Sequence, residues 1–348
     1  MLRHKLLEPI KRDYKEIEFA KYVEIHRQQT NPTDKDLADQ LKDEFYASHE
    51  SVEQAKLDKI WKFVGPKVEA NAGLAEFIRD YQGHKSEYFF PWLVNVFRSP
   101  ATALEISYGA GPNLNGDWYE DILDTDDPIV PFIKDDPAFV YNRERQLIVA
   151  DLASSIQDIG ARELKKRPLK IVDFGAGRLA WIRRHGFSAD PGLVQIYAFD
   201  RDPSIKPEQL FDEDLESLGV HFKHGDFTAQ FNNPDCREAD LIILGGVASY
   251  IPTSDFSLKI IPAIYNLLNP GGVFFFDLQI DCPCYQHSID ILDWPEFDLP
   301  ASVSAAVDRV ETIRKSLWLS GLTLNAEYQV DTYNKISSAV MITMQKIV

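Results

Sequence analysis

The chain has 348 residues, 45 % hydrophobic and 26 % charged, with a formal net charge of −17. That length buries a full core and leaves room for an accessory domain. The negative charge argues against a nucleic-acid backbone as the main partner, because like charge repels phosphates, and the clearest cationic cluster, Lys165-Lys166-Arg167, is only three residues long.

The first 165 or so residues read as helices. Leu7, Ile10, Tyr14, Ile17 and Tyr22 recur at helical spacing on one face. Asn31-Pro32 breaks that helix, and Thr33 is placed as the cap of the next, with Asp34 and Asp36 near its positive end. Ser51 with Gln54 forms a capping box for a helix carrying Leu57, Ile60, Trp61 and Val64. Two more helices are predicted over residues 74–81 and 86–97, and a turn at 109–113. Residues 117–136 are densely acidic and interrupted by Pro128 and Pro131, the pattern of a solvated connection. The sharper alternative for that stretch is a loop covering a pocket.

After a helix predicted over 142–159 the period changes. Strand-like runs at Leu169–Val172, Gln195–Phe199, Val220–Phe222, Leu241–Leu244 and Val273–Leu278 alternate with helical ones, which predicts βαβ units and a parallel sheet. Cys282-Pro-Cys284 is half of a metal-binding spacing, but only His287 stands near it, so no metal is expected. With Cys236 these make three cysteines, too few for a disulfide framework, and a cytoplasmic location is expected. Residues 322–332 and 338–347 form two β-rich runs around Tyr333-Asn334-Lys335, read as an antiparallel hairpin. No run approaches the roughly 20 apolar residues that span a bilayer, so no membrane partner is expected.

The chemistry concentrates in Asp173-Phe-Gly175-Ala176-Gly177. A buried strand ends at Asp173, and the glycines let the backbone approach a ligand at the start of a helix. Gly175-x-Gly177-x-x-Ala180 also fits the dinucleotide fingerprint, so the glycines alone leave two ligand classes open. Asp173 separates them. A carboxylate there repels a pyrophosphate but suits the ammonium and sulfonium of S-adenosylmethionine, by of order 1–4 kcal/mol at moderate dielectric. Asp200 ends the second strand about 20 residues past the glycines, where a carboxylate can accept both ribose hydroxyls. Asp226 and Phe227 end the third, suited to the adenine amino group and ring. Gly245-Gly246 ends the fourth, followed by Ser249 and Tyr250.

Val172-Asp-Phe-Gly-Ala-Gly177, Ala198-Phe-Asp200, Gly225-Asp226-Phe227, Ala239–Leu244 and Leu268-Asn-Pro-Gly-Gly-Val-Phe-Phe-Phe276 resemble successive motifs of the class I S-adenosylmethionine-dependent methyltransferases. The resemblance covers about residue 142 to the C-terminus. It implies a Rossmann-like, seven-stranded, mostly parallel sheet whose last strand is antiparallel. It implies Asp173 near the methionine part, Asp200 at the ribose, and Asp226 with Phe227 at the adenine, with Arg201 also among the cofactor-binding residues. Ala176 and Gly245 belong to the same cofactor lining, and Arg143 is placed ahead of Arg178 on the methionine carboxylate. Leu179 departs from the fullest form of the motif, which has a third glycine there.

Residues 1–140, outside the resemblance, are expected to form a helical cap, and residues 141–348 the cofactor-binding domain. A large cap favours a small-molecule acceptor. Methyl transfer needs an aligned nucleophile more than a strong acid or base. Tyr250, Tyr141 and Asn142 are therefore the candidates around the reacting centre, with Ser249 and His185 behind them. Tyr250 either orients an acceptor, faces the sulfonium with its ring, or is a core tyrosine. Three other readings stand beside methyl transfer. They are attack at the γ-carbon with release of methylthioadenosine (an aminocarboxypropyl transferase or a cyclase), a nicotinamide-dependent oxidoreductase, and a non-catalytic partner that kept the fold.

Overall fold

The computed structural model describes residues 32–47, 53–70, 72–80, 111–112, 118–119, 137–163, 167–184, 187, 190–203, 205, 215–279, 303–331 and 337–346. These fall into two compact units that divide between Arg143 and Glu144. The predicted helices over 7–22 and 86–97, nearly all of the acidic stretch, the Cys282/Cys284/His287 group and the hairpin turn lie outside the described residues.

The first unit holds helices α1 (Lys35–Ala47), α2 (Gln54–Ala70) and α3 (Ala72–Asp80). Leu41, Phe45, Leu57, Ile60, Val64, Val68 and Ile78 recur at helical spacing and are buried, and the Phe45 and Trp61 rings lie 5.2 Å apart. The cap of α1 is Asp34, not Thr33. The Asp34 carboxylate accepts the Asp36 N–H at 2.9 Å, whereas the Thr33 hydroxyl donates to the Val68 carbonyl. Either residue suits the position, and a partner on α2 drew Thr33 away. Within the predicted turn at 109–113, Gly111-Pro112 pairs with Trp118-Tyr119 as a short antiparallel ribbon. Helix α4 (Pro137–Glu163) is longer than predicted and crosses the division between the units.

The second unit is built on seven strands: β1 (Leu169–Phe174), β2 (Val194–Asp200), β3 (Val220–His224), β4 (Ala239–Leu244), β5 (Leu268–Gln279), β6 (Leu322–Asp331) and β7 (Ser337–Lys346). Their order is β3-β2-β1-β4-β5-β7-β6, with the first five parallel and β7 antiparallel to both neighbours. This is a Rossmann-like, seven-stranded, mostly parallel sheet with an antiparallel last strand, as the resemblance implies. All six residues of β4 are buried, as are Phe274, Phe275 and Phe276 of β5. Strands buried on both faces read as continuous apolar runs for that reason. Helices α5 (Ala180–Arg184), α6 (Ile261–Leu267) and α7 (Val303–Leu319) connect them, with a π-turn over Phe256–Ile260 leading into α6. β5 begins five residues earlier than predicted. Ala239 pairs with Leu268 and Leu241 with Val273, so a bulge absorbs the Asn-Pro-Gly-Gly segment.

Polar groups at the amino end of the sheet are gathered by Asp240. Its carboxylate accepts the Lys170 N–H (2.9 Å), the Asn269 amide (3.0 Å) and the Arg167 guanidinium (3.1 Å), linking β1, β4 and β5. Lys346 closes the C-terminal strand onto α6 by donating to the Tyr265 and Leu268 carbonyls, both at 2.8 Å. No helix among the described residues is long and apolar enough to cross a membrane. Asp240→Ala removes the acceptor of the half-buried Lys170 N–H and one of the two acceptors of the Asn269 amide, and is expected to lower unfolding free energy by about 1–3 kcal/mol in urea titrations.

Candidate cofactor site at the strand tips

The carboxyl ends of β1, β2, β3 and β4 carry the predicted residues, where open α/β sheets bind their ligands. After Asp173 the chain turns back on β2, with the Gly175 and Ala176 N–H groups both donating to the Phe199 carbonyl at 2.8 and 3.1 Å. Gly175 has φ +75, and a Cβ there would lie 2.2 Å from Val247 Cγ2. Only glycine fits. Asp200 fastens the same turn. One of its oxygens accepts the Gly177 N–H and the other the Asp202 N–H, each at 2.9 Å.

Leu179 occupies the position of the missing third glycine with φ +59 and a fully buried side chain. Left-handed backbone costs a leucine roughly 1–2 kcal/mol, which burial of the side chain by about 2 kcal/mol offsets. Leu179→Gly is therefore expected to be more stable than Leu179→Ala by about 1 kcal/mol, the reverse of the usual order, as measured by chemical denaturation.

Asp173 is 3 % exposed, and the Trp181 indole Nε1–H donates to its Oδ2 at 2.8 Å. Burial pushes its pKa from 3.8 up to about 7; the Trp181 hydrogen bond opposes the rise, the Asp200 charge adds to it and Arg145 opposes it. Burial also raises Asp200, against the two backbone N–H groups it accepts. Because the folded value of Asp173 lies above the unfolded one, its contribution to stability is full below pH 4. That contribution is lost as pH rises through 7. Asp173→Asn should flatten the stability profile over this window and gain on the parent at pH 8 relative to pH 6, read by urea unfolding at both.

At the third tip Asp226 is exposed and caps a 3₁₀ turn over Phe227–Asn232 by accepting the Thr228 N–H at 2.8 Å. Phe227 is half-buried, with its ring 5.8 Å from Phe174 and 5.7 Å from Phe231. An aromatic edge beside a carboxylate is thus present there.

Gly245 and Gly246 at the tip of β4 face a group absent from the sequence-level candidates. Arg145 of α4 pairs with Asp277 of β5 at 3.3 Å, with side chains 4 % and 0 % exposed. The other Asp277 oxygen accepts the Gly246 N–H at 2.6 Å. Gly246 has φ +74, and a Cβ on it would lie 2.8 Å from Arg145 Nη1. From the far side Arg309 of α7, also buried, donates to the Ala248 and Ile251 carbonyls at 3.1 and 2.8 Å. The 3₁₀ turn Ala248–Tyr250 is therefore held by the buried Arg309. Ser249 within it is buried.

Asp173, Gly175, Ala176, Gly177 and Asp200 come together, while Asp226 with Phe227 and Gly245 stand at neighbouring tips. Arg201 follows Asp200 and is exposed. Tyr250 is placed by its backbone, and its side chain lies outside the described residues, as does all of His185. Asn142 (buried) and Arg143 (half-buried) belong to the first unit, as does the backbone of Tyr141, whose side chain is outside the description. His221 stacks on Tyr197 at 4.9 Å, a packing role. Trp181, Arg145, Asp277 and Arg309 escaped the sequence reading. Asp277, a charge within a run of phenylalanines, was the one with a visible signal.

No protein family and no curated protein matches the chain. Among solved structures it is similar to a "possible exported protein" from Bordetella parapertussis (14 % identity, 87 % of this chain, 99 % of that one, TM-score 0.48). It is also similar to the CurJ carbon methyltransferase (13 %, 89 % and 71 %, 0.45). A third is magnesium protoporphyrin IX methyltransferase from Synechocystis PCC 6803, solved with bound SAH (14 %, 59 % and 84 %, 0.40).

Proposed function

We propose that the chain binds S-adenosylmethionine at the tips of β1–β4 and transfers its methyl group to a small-molecule acceptor. The observation that carries this reading is Asp173, a carboxylate buried at the foot of a glycine turn and accepting the Trp181 indole N–H. An anionic ligand would add to the repulsion already supplied by Asp200, whereas a cationic one relieves it. The residues present fit the ligand. Each Asp200 oxygen accepts one N–H and keeps a lone pair for a ribose hydroxyl, and Asp226 with Phe227 offers an acceptor and a ring for adenine.

S-adenosylmethionine when bound supplies a methyl group on a sulfonium with a good leaving group attached. The chain's part is to bind and align. Asp173 holds positive charge, and the turn fastened by Asp200 sets the depth of the site. The Gly245–Ile251 segment, pinned by Asp277 and Arg309, holds Tyr250 at a fixed place on the backbone for the acceptor.

Asp173→Ala is expected to abolish S-adenosylmethionine binding in calorimetry, and unchanged affinity removes the assignment. Incubation with S-adenosylmethionine should yield S-adenosylhomocysteine only when an acceptor is supplied. Methylthioadenosine formed without one would establish attack at the γ-carbon instead.

A further inference from the structure

We propose that Trp181 is a positioning residue for the cofactor: its indole N–H holds the Asp173 carboxylate by Oδ2 and so reserves Oδ1 for the ammonium of the ligand. The assignment rests on the S-adenosylmethionine reading above.

The contact is short and dry. Trp181 Nε1 lies 2.8 Å from Asp173 Oδ2, and the two residues are 2 % and 3 % exposed, so bulk water does not replace the donor. The buried Phe187 packs on the indole with ring centroids 5.3 Å apart, which wedges the ring in addition to its hydrogen bond. The local backbone explains how a residue only eight positions past Asp173 returns to it. Beyond the glycine turn the Leu179 N–H donates to the Ala176 carbonyl at 3.0 Å, and Leu179 takes φ +59. The Ile182 N–H then donates to the Leu179 carbonyl at 3.0 Å, and α5 begins with Trp181 in its first turn. The residue that departs from the family motif thus stands between the turn and the helix that carries the indole.

An indole donates and never accepts. While its N–H is bonded to Oδ2, that oxygen cannot carry an acid proton, and a proton on Asp173 is left with Oδ1. There it competes with the ligand ammonium for the same lone pairs. Burial drives Asp173 towards the protonated form, and the Trp181 bond is the largest influence against it; the Asp200 charge from β2 adds to the rise and Arg145 from α4 opposes it. Without the indole, a buried oxygen of Asp173 loses its donor. The carboxylate then takes up a proton or turns to another partner, and each withdraws the acceptor from the ligand.

The indole reports on its own role. Its ¹⁵N–¹H resonance, assigned by loss in Trp181→Phe, is recorded in the full chain alone and saturated with S-adenosylhomocysteine or with methylthioadenosine. The pH is 8, above the Asp173 value of about 7. Calorimetry gives the affinity of each nucleoside. S-adenosylhomocysteine carries the amino-acid part with its ammonium, and methylthioadenosine is a thioether of the same nucleoside without it. The resonance should move with the first and stay with the second. Trp181→Phe should bind S-adenosylhomocysteine about tenfold more weakly and methylthioadenosine as the parent does. A packing role alone would weaken both by the same factor or neither.

Binding of S-adenosylhomocysteine with an unmoved indole resonance overturns the proposal. So does a Trp181→Phe variant that loses affinity equally for both nucleosides or for neither. If that variant fails to fold, the resonance is assigned through the contact with the Phe187 ring, and the parent experiment decides alone. A parent that binds neither nucleoside overturns the ligand reading and this proposal with it, whereas binding with a silent indole overturns this proposal only.

Discussion

A guanidinium and a carboxylate removed from water together govern the carboxyl end of this sheet. Each ion alone in the interior would cost several kcal/mol, and removing one partner of such a pair typically costs 3–5. Arg145 and Asp277 meet that requirement with each other and with the Gly246 N–H. Their meeting dictates what surrounds them. Gly246 must be a glycine to leave room for the guanidinium, and the third turn of α4 must bring Arg145 to Asp277.

The neighbouring turn is under a related constraint. Gly175 cannot carry a side chain because Val247, just beyond the two glycines, occupies that space. Asp200 then ties the turn down through the Gly177 N–H. The backbone of the turn is thus fixed from β2 on one side and from the β4 loop on the other, and Leu179 adopts a left-handed conformation that its buried side chain sustains. A turn held this firmly presents its remaining N–H groups in one arrangement, which favours binding because little ordering is left to be done.

Charge at the site follows from burial more than from composition. The chain carries a formal net charge of −17. Asp173 and Asp200 stand out because β1 and β2 end inside the protein, where the ionised form is disfavoured and neighbouring charge counts heavily. The strand order puts the two acids at adjacent tips, where a cationic ligand would be an electrostatic complement.

The sequence by itself determined the second unit to a large degree. Apolar runs of strand length separated by helical segments require a parallel sheet, and acids or glycines closing each run mark the tips, so Asp173, Gly175, Gly177 and Asp200 were legible with their neighbours. The start of β5 was misjudged because Asn269-Pro-Gly-Gly272 has turn composition, while its pairing with β4 is a long-range choice. Arg145, Trp181 and Arg309 were illegible for the same reason. Nothing near them in sequence distinguishes a buried arginine from a solvated one, and Asp277 lies 132 positions from its partner. Only the tertiary structure decides which charges lose their water, because burial is set by residues brought together from separate strands and helices. That decision turns the glycine turn at Asp173 from a motif shared by two ligand classes into a site with a sign.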